Sequence, residues 1–432
     1  MSAKTLGRWV GRHGLARLVI RRAYRRGDLQ ARILTDERIR ADPYPTYDEI
    51  RARGPLIRGR LMAQSTSHAA VTEVLRSDAF AVGFDPATMP WLARRALMRV
   101  SADERIVGPV DPPSLLVTNG DDHVRYRRLV SRVFTAKAIE ALRGRIAERT
   151  EELLDELEKT SGGSVDLVAG FASLLPVTVI AEVLGVPVAM RRQFLAWGSA
   201  AAPVLDIGLT YREFLDSEVA LEQLSDWMYG HFERLRRDPG DDIVSQLVHL
   251  DDASGRLTDR ELLAIAGLLL AAGFETTVNL LGSGALLLIE HPDQLAELTA
   301  EPSLWPNAVE EMLRYESPVQ HTTRRAVCDT SVCGVQLRAG TFVAAMIGGA
   351  NRDPAVFEDP NRFDVRRANA REHLAFSSGA HYCIGATLAR LESEIGLRRL
   401  FERFGGLALA GVPRRRGTRT LRGYDEIPVR LA

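Results

Sequence analysis

One stretch limits what this chain can fold into more than any other. Leu262 to Phe274 runs for thirteen residues without a charge, Val278 to Ile289 adds twelve more, and Glu275-Thr276-Thr277 stands between them. A carboxylate at the midpoint of a membrane span is expensive in hydrocarbon. The stretch is therefore expected to be a buried helix of about 28 residues, roughly 40 Å long, crossing a large domain. A rod of that length needs a wide core around it, and 432 residues, 46% of them hydrophobic, suffice to build one. Glu275 is then a functional-site candidate, because an unpaired carboxylate is costly to bury.

Helical patterns dominate from residue 121 to 320. "DPYPTYDEIRARGPLI" (Asp42 to Ile57) reads as a turn, a short helix and a Gly-Pro break into a strand, and residues 80 to 118 are loop-like. Strand-like pieces return between Ser331 and Gly348, with turns at Gly334 and Gly340, followed by Pro-rich coil over 353–375. The expected fold class is mainly α with a minor β region (α+β), in one large domain without a linker. Acidic and basic residues number 56 each, which argues against a nucleic-acid partner. Three cysteines (Cys328, Cys333 and Cys383) do not make a disulfide framework, and Cys328 and Cys333 read as plain strand cysteines. No secretory signal is recognisable, so a cytoplasmic location is expected.

Residues 1–40 read as a basic N-terminal extension: eight cations stand against Asp28 alone in the first thirty residues. Trp9, Val10, Leu18 and Val19 form a possible apolar stripe. Such a helix either packs on its own domain as a solvated basic element or touches an anionic membrane surface weakly.

"FSSGAHYCIG" (Phe376 to Gly385) precedes the helical spacing Ile384, Leu388, Leu391, Ile395, so a helix is expected to begin at Cys383. Three readings of the sulfur follow. A nucleophile elbow would need glycine at 381, where His381 stands. A structural cysteine at a helix start explains Cys383 alone. A thiol at a helix N-terminus is shifted toward thiolate, and glycines at 379 and 385 let backbone approach a large flat group, so Cys383 also suits an axial ligand to haem iron.

Phe376, Gly379, His381, Cys383 and Gly385, followed by Leu388-Ala389-Arg390, resemble the haem-binding signature of the cytochrome P450 family. Ser377 departs from it, standing where many members carry glycine. "AAGFETT" (Ala271 to Thr277) resembles the family's oxygen-activating motif on the central helix. Glu311 and Arg314 resemble its E-x-x-R pair, and His123 and Arg127 its propionate-binding H-x-x-x-R helix. Asn119-Gly120-Asp121-Asp122 stands where members often read Asp-Pro-Pro. The resemblance covers residues 41–432, a haem-thiolate domain with haem between the central helix and the cysteine loop.

The resemblance implies haem b ligated by Cys383, dioxygen as co-substrate, and electrons from a separate ferredoxin and ferredoxin reductase. It implies propionate contacts from His123, Arg127, Arg324 and His381, and Arg362 as third partner of Glu311 and Arg314. Ala272 and Gly273 would line the oxygen side, with Gly273 leaving room there. The Thr276 hydroxyl would bond back to the Ala272 carbonyl and, with Glu275, relay protons; the plainer alternative is that Glu275 caps a salt bridge. Arg125, Arg128, Arg132 and Arg390 are candidates for a basic partner-facing surface. Pocket walls are expected from Met89, Trp91, Leu92, Leu205, Ile207, Leu209 and Val319, which suggests a lipophilic small molecule. A haem sensor or carrier, and a peroxide-driven or C–C coupling enzyme on the same fold, are the other readings; the Glu275-Thr276 pair favours oxygen insertion.

Overall fold

The computed structural model describes residues 3–83, 106–160, 162–251 and 255–431. The long apolar stretch is a single helix, Asp259–Glu290. Thr258 and Glu261 cap each other's backbone amides at its start, and His291-Pro292 ends it. The helices packed around it include Leu174–Val183, Tyr211–Arg237, Trp305–Tyr315 and Ala386–Arg403. The helix is long and apolar enough to cross a bilayer, yet most of it lies inside the protein. One strip stays accessible at its middle, including Leu268, Ala272 and Thr276 at helical i, i+4, i+8 spacing. On another side Glu275, Asn279 and Ser283, with the same spacing, are buried.

The β region gathers at the other side of the chain. A mixed five-stranded sheet runs in the order Ile57–Arg58, Ala63–Ser65, Phe342–Ala345, Thr322–Ala326, Phe80–Ala81. Its one parallel pairing sets Ala63 opposite Val343, while Arg324 opposes Val343 from the antiparallel side. A three-stranded sheet ties Pro428–Arg430, near the C-terminus, to Val165–Asp166 and Ala408–Leu409. Cys328 follows Thr322–Ala326 and Cys333 follows Thr330–Val332, both exposed, at turns rather than within strands.

The N-terminal residues form helix Ala3–Trp9, a π-turn at Val10–Gly14, and helix Leu15–Arg25. This arm docks by polar and aromatic contacts. The Trp9 indole N–H donates to the Leu209 carbonyl (3.0 Å), Arg12 pairs with Asp111 (2.7 Å), and His13 is buried against Phe214. Of the apolar stripe only Trp9 packs inward; Val10, Leu18 and Val19 are exposed, together with Leu6 and Leu15. Leu29 and Ile33 share an apolar cluster with Tyr47, Ile50, Ala344 and Met346, so packing continues across residue 40 without a break.

The Glu311–Arg314 pair is not a surface feature. Both side chains are fully buried, joined by two bonds of 2.6 and 2.7 Å. The remaining Arg314 protons go to the carbonyls of Asn351, Pro360 and Arg362. Arg362 is not the third side chain of this cluster. It turns its carbonyl inward and its side chain outward, and Arg367 takes the place, donating to Glu311 at 3.1 Å. The chain from Asp359 onward wraps the guanidinium with carbonyls, which leaves the 362 side chain on the outside. Removing one partner strands a buried charge, so Arg314→Ala should cost about 3–5 kcal/mol in denaturant unfolding. Arg367→Ala should also destabilise, whereas Arg362→Ala should stay within about 0.5 kcal/mol of wild type. A larger loss for Arg362 than for Arg367 would reverse the assignment.

Candidate active site

The cysteine loop is closed on itself and on its neighbours. Cys383 N–H donates to the Phe376 carbonyl (2.9 Å), and Gly379–His381 forms a 3-10 turn. Gly379 has φ 70°, and a Cβ there would lie 2.6 Å from the Leu75 carbonyl oxygen, so no side chain fits. Ser377 also has a left-handed φ, 63°, which explains why glycine suits that position. The following helix, Ala386–Arg403, begins three residues after Cys383, not at it, with Gly385 as its N-cap. The sulfur is reachable from solvent although protein crowds it. That crowding pushes its pKa up, outweighing the Gly385 and Ala386 amides, Arg127 and Arg390, which all favour thiolate. The helix start is therefore not the only influence on this thiol.

Arg390 fixes the loop from below. Its guanidinium lies 4.5 Å from the centre of the buried Phe376 ring and pairs with Glu310 at 2.8 Å. His373 meets the other Glu310 oxygen at 3.0 Å. Burial alone would raise the Glu310 pKa, but the bonds from His373 and Arg390 bring it from 4.5 to about 2. A carboxyl whose folded pKa is depressed adds stability above its unfolded pKa and loses it on acidification. The Glu310 contribution should therefore vanish as pH falls from about 4.5 to about 2. Glu310→Gln should flatten the stability profile in that window, measured by unfolding at successive pH values; an unchanged slope would remove Glu310 from the balance.

Above the sulfur, four basic side chains from three elements approach one another. The His123 and His381 rings are 4.2 Å apart, centre to centre. Burial first, then His123, Arg324 and Arg127, brings His381 down to about 3. Burial, then Arg127, lowers His123 as well. Arg324 is brought down to about 10 by burial alone, and it donates to the Thr322 hydroxyl and the Thr323 carbonyl. Among the described residues no carboxylate forms an ion pair with Arg127 or Arg324. Repelling, uncompensated cations beside an accessible thiol fit a flat dianion with an iron at its centre.

On the central helix the Thr276 hydroxyl donates to the Ala272 carbonyl at 2.8 Å, as the spacing predicts. Gly273 does not open space for dioxygen. A Cβ there would lie 3.1 Å from the Ile180 side chain, so the glycine admits the neighbouring helix Leu174–Val183. Glu275 is 2% exposed and ion-pairs with Arg416, whose Nε donates to the Tyr424 carbonyl at 3.0 Å. Sequence reasoning missed Arg416, because nothing separates it from its neighbours in Arg414-Arg415-Arg416. Arg125 is taken up by Glu261 (2.7 Å) and Arg390 by Glu310, so neither is a free charge for a partner.

Of the expected pocket walls, Met89, Trp91 and Leu92 lie outside the described residues. Leu209 is buried, Ile207 is exposed, and Leu205 and Val319 are partly buried, Val319 bridging to Leu421.

A cytochrome P450 family model matches residues 228–413. A putative cytochrome P450 140 of Mycobacterium tuberculosis is 46% identical over 430 residues, covering 98% of this chain and 97% of its own length. The chain belongs to the cytochrome P450 family. The 6-deoxyerythronolide B hydroxylase of Saccharopolyspora erythraea is 39% identical over 422 residues, 92% of this chain and 98% of that protein. Among solved structures, P450BioI in complex with hexadec-9Z-enoic acid ligated acyl carrier protein superimposes with a TM-score of 0.82 at 32% identity, covering 92% of this chain and 100% of that one. The fold is thus the P450 fold, and the chain is a haem-thiolate monooxygenase that uses haem b with dioxygen as co-substrate. As P450s generally do, it needs a source of electrons and takes a small-molecule substrate.

Charge-assisted bonds to propionates are worth about 1.5–3 kcal/mol each. Arg324→Ala should therefore lower haem occupancy of the purified protein more than Arg324→Lys, read as the ratio of haem to protein absorbance. Equal occupancy in both variants and in wild type would take Arg324 out of the site.

Proposed function

We propose that this P450 inserts one oxygen atom into a lipophilic small molecule in the cytoplasm, with electrons delivered by a separate ferredoxin and its reductase. The observation that carries the reading is the pairing of an accessible cysteine loop, ringed by uncompensated cations, with a strip of the central helix that holds an alcohol. Haem b, when bound, supplies the dioxygen-activating chemistry, with a thiolate ligand pushing electron density toward it.

The chain's own residues have separable tasks. Cys383 would hold the iron, and His123, Arg127, Arg324 and His381 would bind the two propionates. Phe376, Gly379 and Gly385 shape the cysteine loop, while Ala272 keeps the accessible strip of the central helix free of bulk. Thr276 commits its proton to the Ala272 carbonyl, which leaves the hydroxyl oxygen free to accept a hydrogen bond and so to hold in place a water that carries the proton. Glu275, next in sequence but on the buried side, is the acid that replenishes it. Its ion pair with Arg416 must open for the carboxyl to turn toward Thr276, so the salt bridge and the relay are two states of one group.

Retention of both acid and alcohol supports dioxygen over peroxide as oxidant, and turnover over a sensor's or carrier's role. The likeness to 6-deoxyerythronolide B hydroxylase supports a lipophilic substrate. Exposed Leu15, Leu18 and Val19 beside Arg21, Arg22 and Arg25 give the N-terminal arm a face for passing contact with an anionic membrane surface.

Reduced protein under carbon monoxide should show the red-shifted haem band of a thiolate ligand. Cys383→Ser should lose that band, and Cys328→Ser and Cys333→Ser should keep it. Thr276→Ala should retain haem and consume reducing equivalents while releasing hydrogen peroxide in place of oxygenated product. A Thr276→Ala protein that couples electrons to product as well as wild type does would sink the relay.

A further inference from the structure

A cavity of about 250 Å³ lies between the N-terminal segment at Ile33–Pro43, Gln320, and the segment from Arg415 to Gly423. Its charge is one-sided. Arg40, Arg415, Arg416, Arg419 and Arg422 line it, against one carboxylate among its described lining residues, Glu37, whose side chain is 90% exposed and pairs with Arg40 at 3.5 Å. Behind the wall, Glu316 takes Arg415 at 2.9 Å and Arg422 at 2.5 Å and is also approached by Arg352, so one carboxylate serves three guanidinium groups. Glu275 takes Arg416.

Arg419 has no such partner. Among the described residues no carboxylate forms an ion pair with its guanidinium, which donates to the Ile207 carbonyl at 2.7 Å and acts on Glu213 only at longer range. Asp206, close by, is committed to the backbone amides of Arg419 and Thr420. The excess is felt by neighbours: burial first and then Arg419 pull the Arg40 pKa down, and Arg419 also contributes to the depression at Arg17 and His13. Holding cations together in a partly buried space costs free energy unless an anion joins them, and a guanidinium fork matches a carboxylate in shape.

The cavity's position suggests which anion. Arg416 spans from its wall to Glu275 on the buried side of the central helix, the acid proposed above to supply Thr276. Leu421, another wall residue, bridges to Val319 in the segment expected to face substrate. We propose that this cavity receives the carboxylate end of the substrate, so that the enzyme acts on lipophilic acids in preference to their neutral counterparts. The assignment rests on the monooxygenase reading for what happens at the other end of the molecule, but binding itself does not depend on turnover.

The test is calorimetric titration of the haem-loaded protein with dodecanoate and with dodecanamide, which differ only in the charged end. Dodecanoate should bind at least about tenfold more tightly, and the difference should shrink in high salt. Arg419→Gln keeps a donor for the Ile207 carbonyl and removes the charge. It should lose most of the preference for the acid while its affinity for the amide stays at the wild-type value. A carboxylate that binds no tighter than the amide, including the case in which neither binds, overturns the site, as does an Arg419→Gln protein with its preference intact. The carbon monoxide band, recorded on the same samples, keeps the two readings apart. Its absence with the acid preference retained would sink the haem assignment alone, and its presence without the preference would sink this site alone.

Discussion

A fully buried ion pair, Glu311 with Arg314, is the interaction on which the cysteine side of this enzyme depends. Two charges without water are tolerable only when every remaining donor and acceptor is satisfied. Here that demand is met by three carbonyls, by the Asp364 amide and by Arg367, all drawn from the coil between Asn351 and Arg367. The pair thereby dictates the path of a segment that has little regular structure of its own. The adjacent residue, Glu310, points to another side and grips His373 and Arg390, so consecutive carboxylates on one helix hold both the coil and the loop that ends it.

The central helix carries two polar faces with different purposes. Its accessible strip presents Thr276, whose hydroxyl donates to the Ala272 carbonyl. Its buried face presents Glu275, which only an ion pair with Arg416 makes affordable. A carboxylate in apolar surroundings and an alcohol facing the open side are thus supplied by neighbouring residues that point apart.

Arg127 and Arg324 near the loop and Arg419 near the C-terminus form no ion pair with a carboxylate among the described residues, and both places suit anionic guests. Around the loop, Arg127, Arg324 and the paired histidines suit the propionates of a cofactor. In the cavity near the C-terminus, Arg419 and its neighbours suit the charged end of a smaller molecule. The chain as a whole is neutral, with 56 basic and 56 acidic residues, so the excess is local.

Local chemistry was readable from the residues: the cysteine loop, the glycine at 379, the acid and alcohol inside an apolar helix, and the Thr276 back-bond all follow from residue type at fixed spacing. They depend on contacts within a few residues or on periodicity, which a sequence states directly. What the sequence could not state was which of several equivalent arginines faces inward. Arg362 and Arg367 are both plausible partners for Glu311, and only the wrapping of the chain over Arg314 turns 367 in and 362 out. Arg416 looks like Arg414 and Arg415 until the C-terminal hairpin sets it against Glu275. The role of Gly273 likewise belongs to a neighbouring helix, through Ile180, and the pKa of Cys383 to the crowding of a whole surface rather than to one helix start. Identity and spacing along the chain determined the chemistry available to this protein; the pairing of charges across the chain, which follows from packing, was decided by the tertiary structure alone.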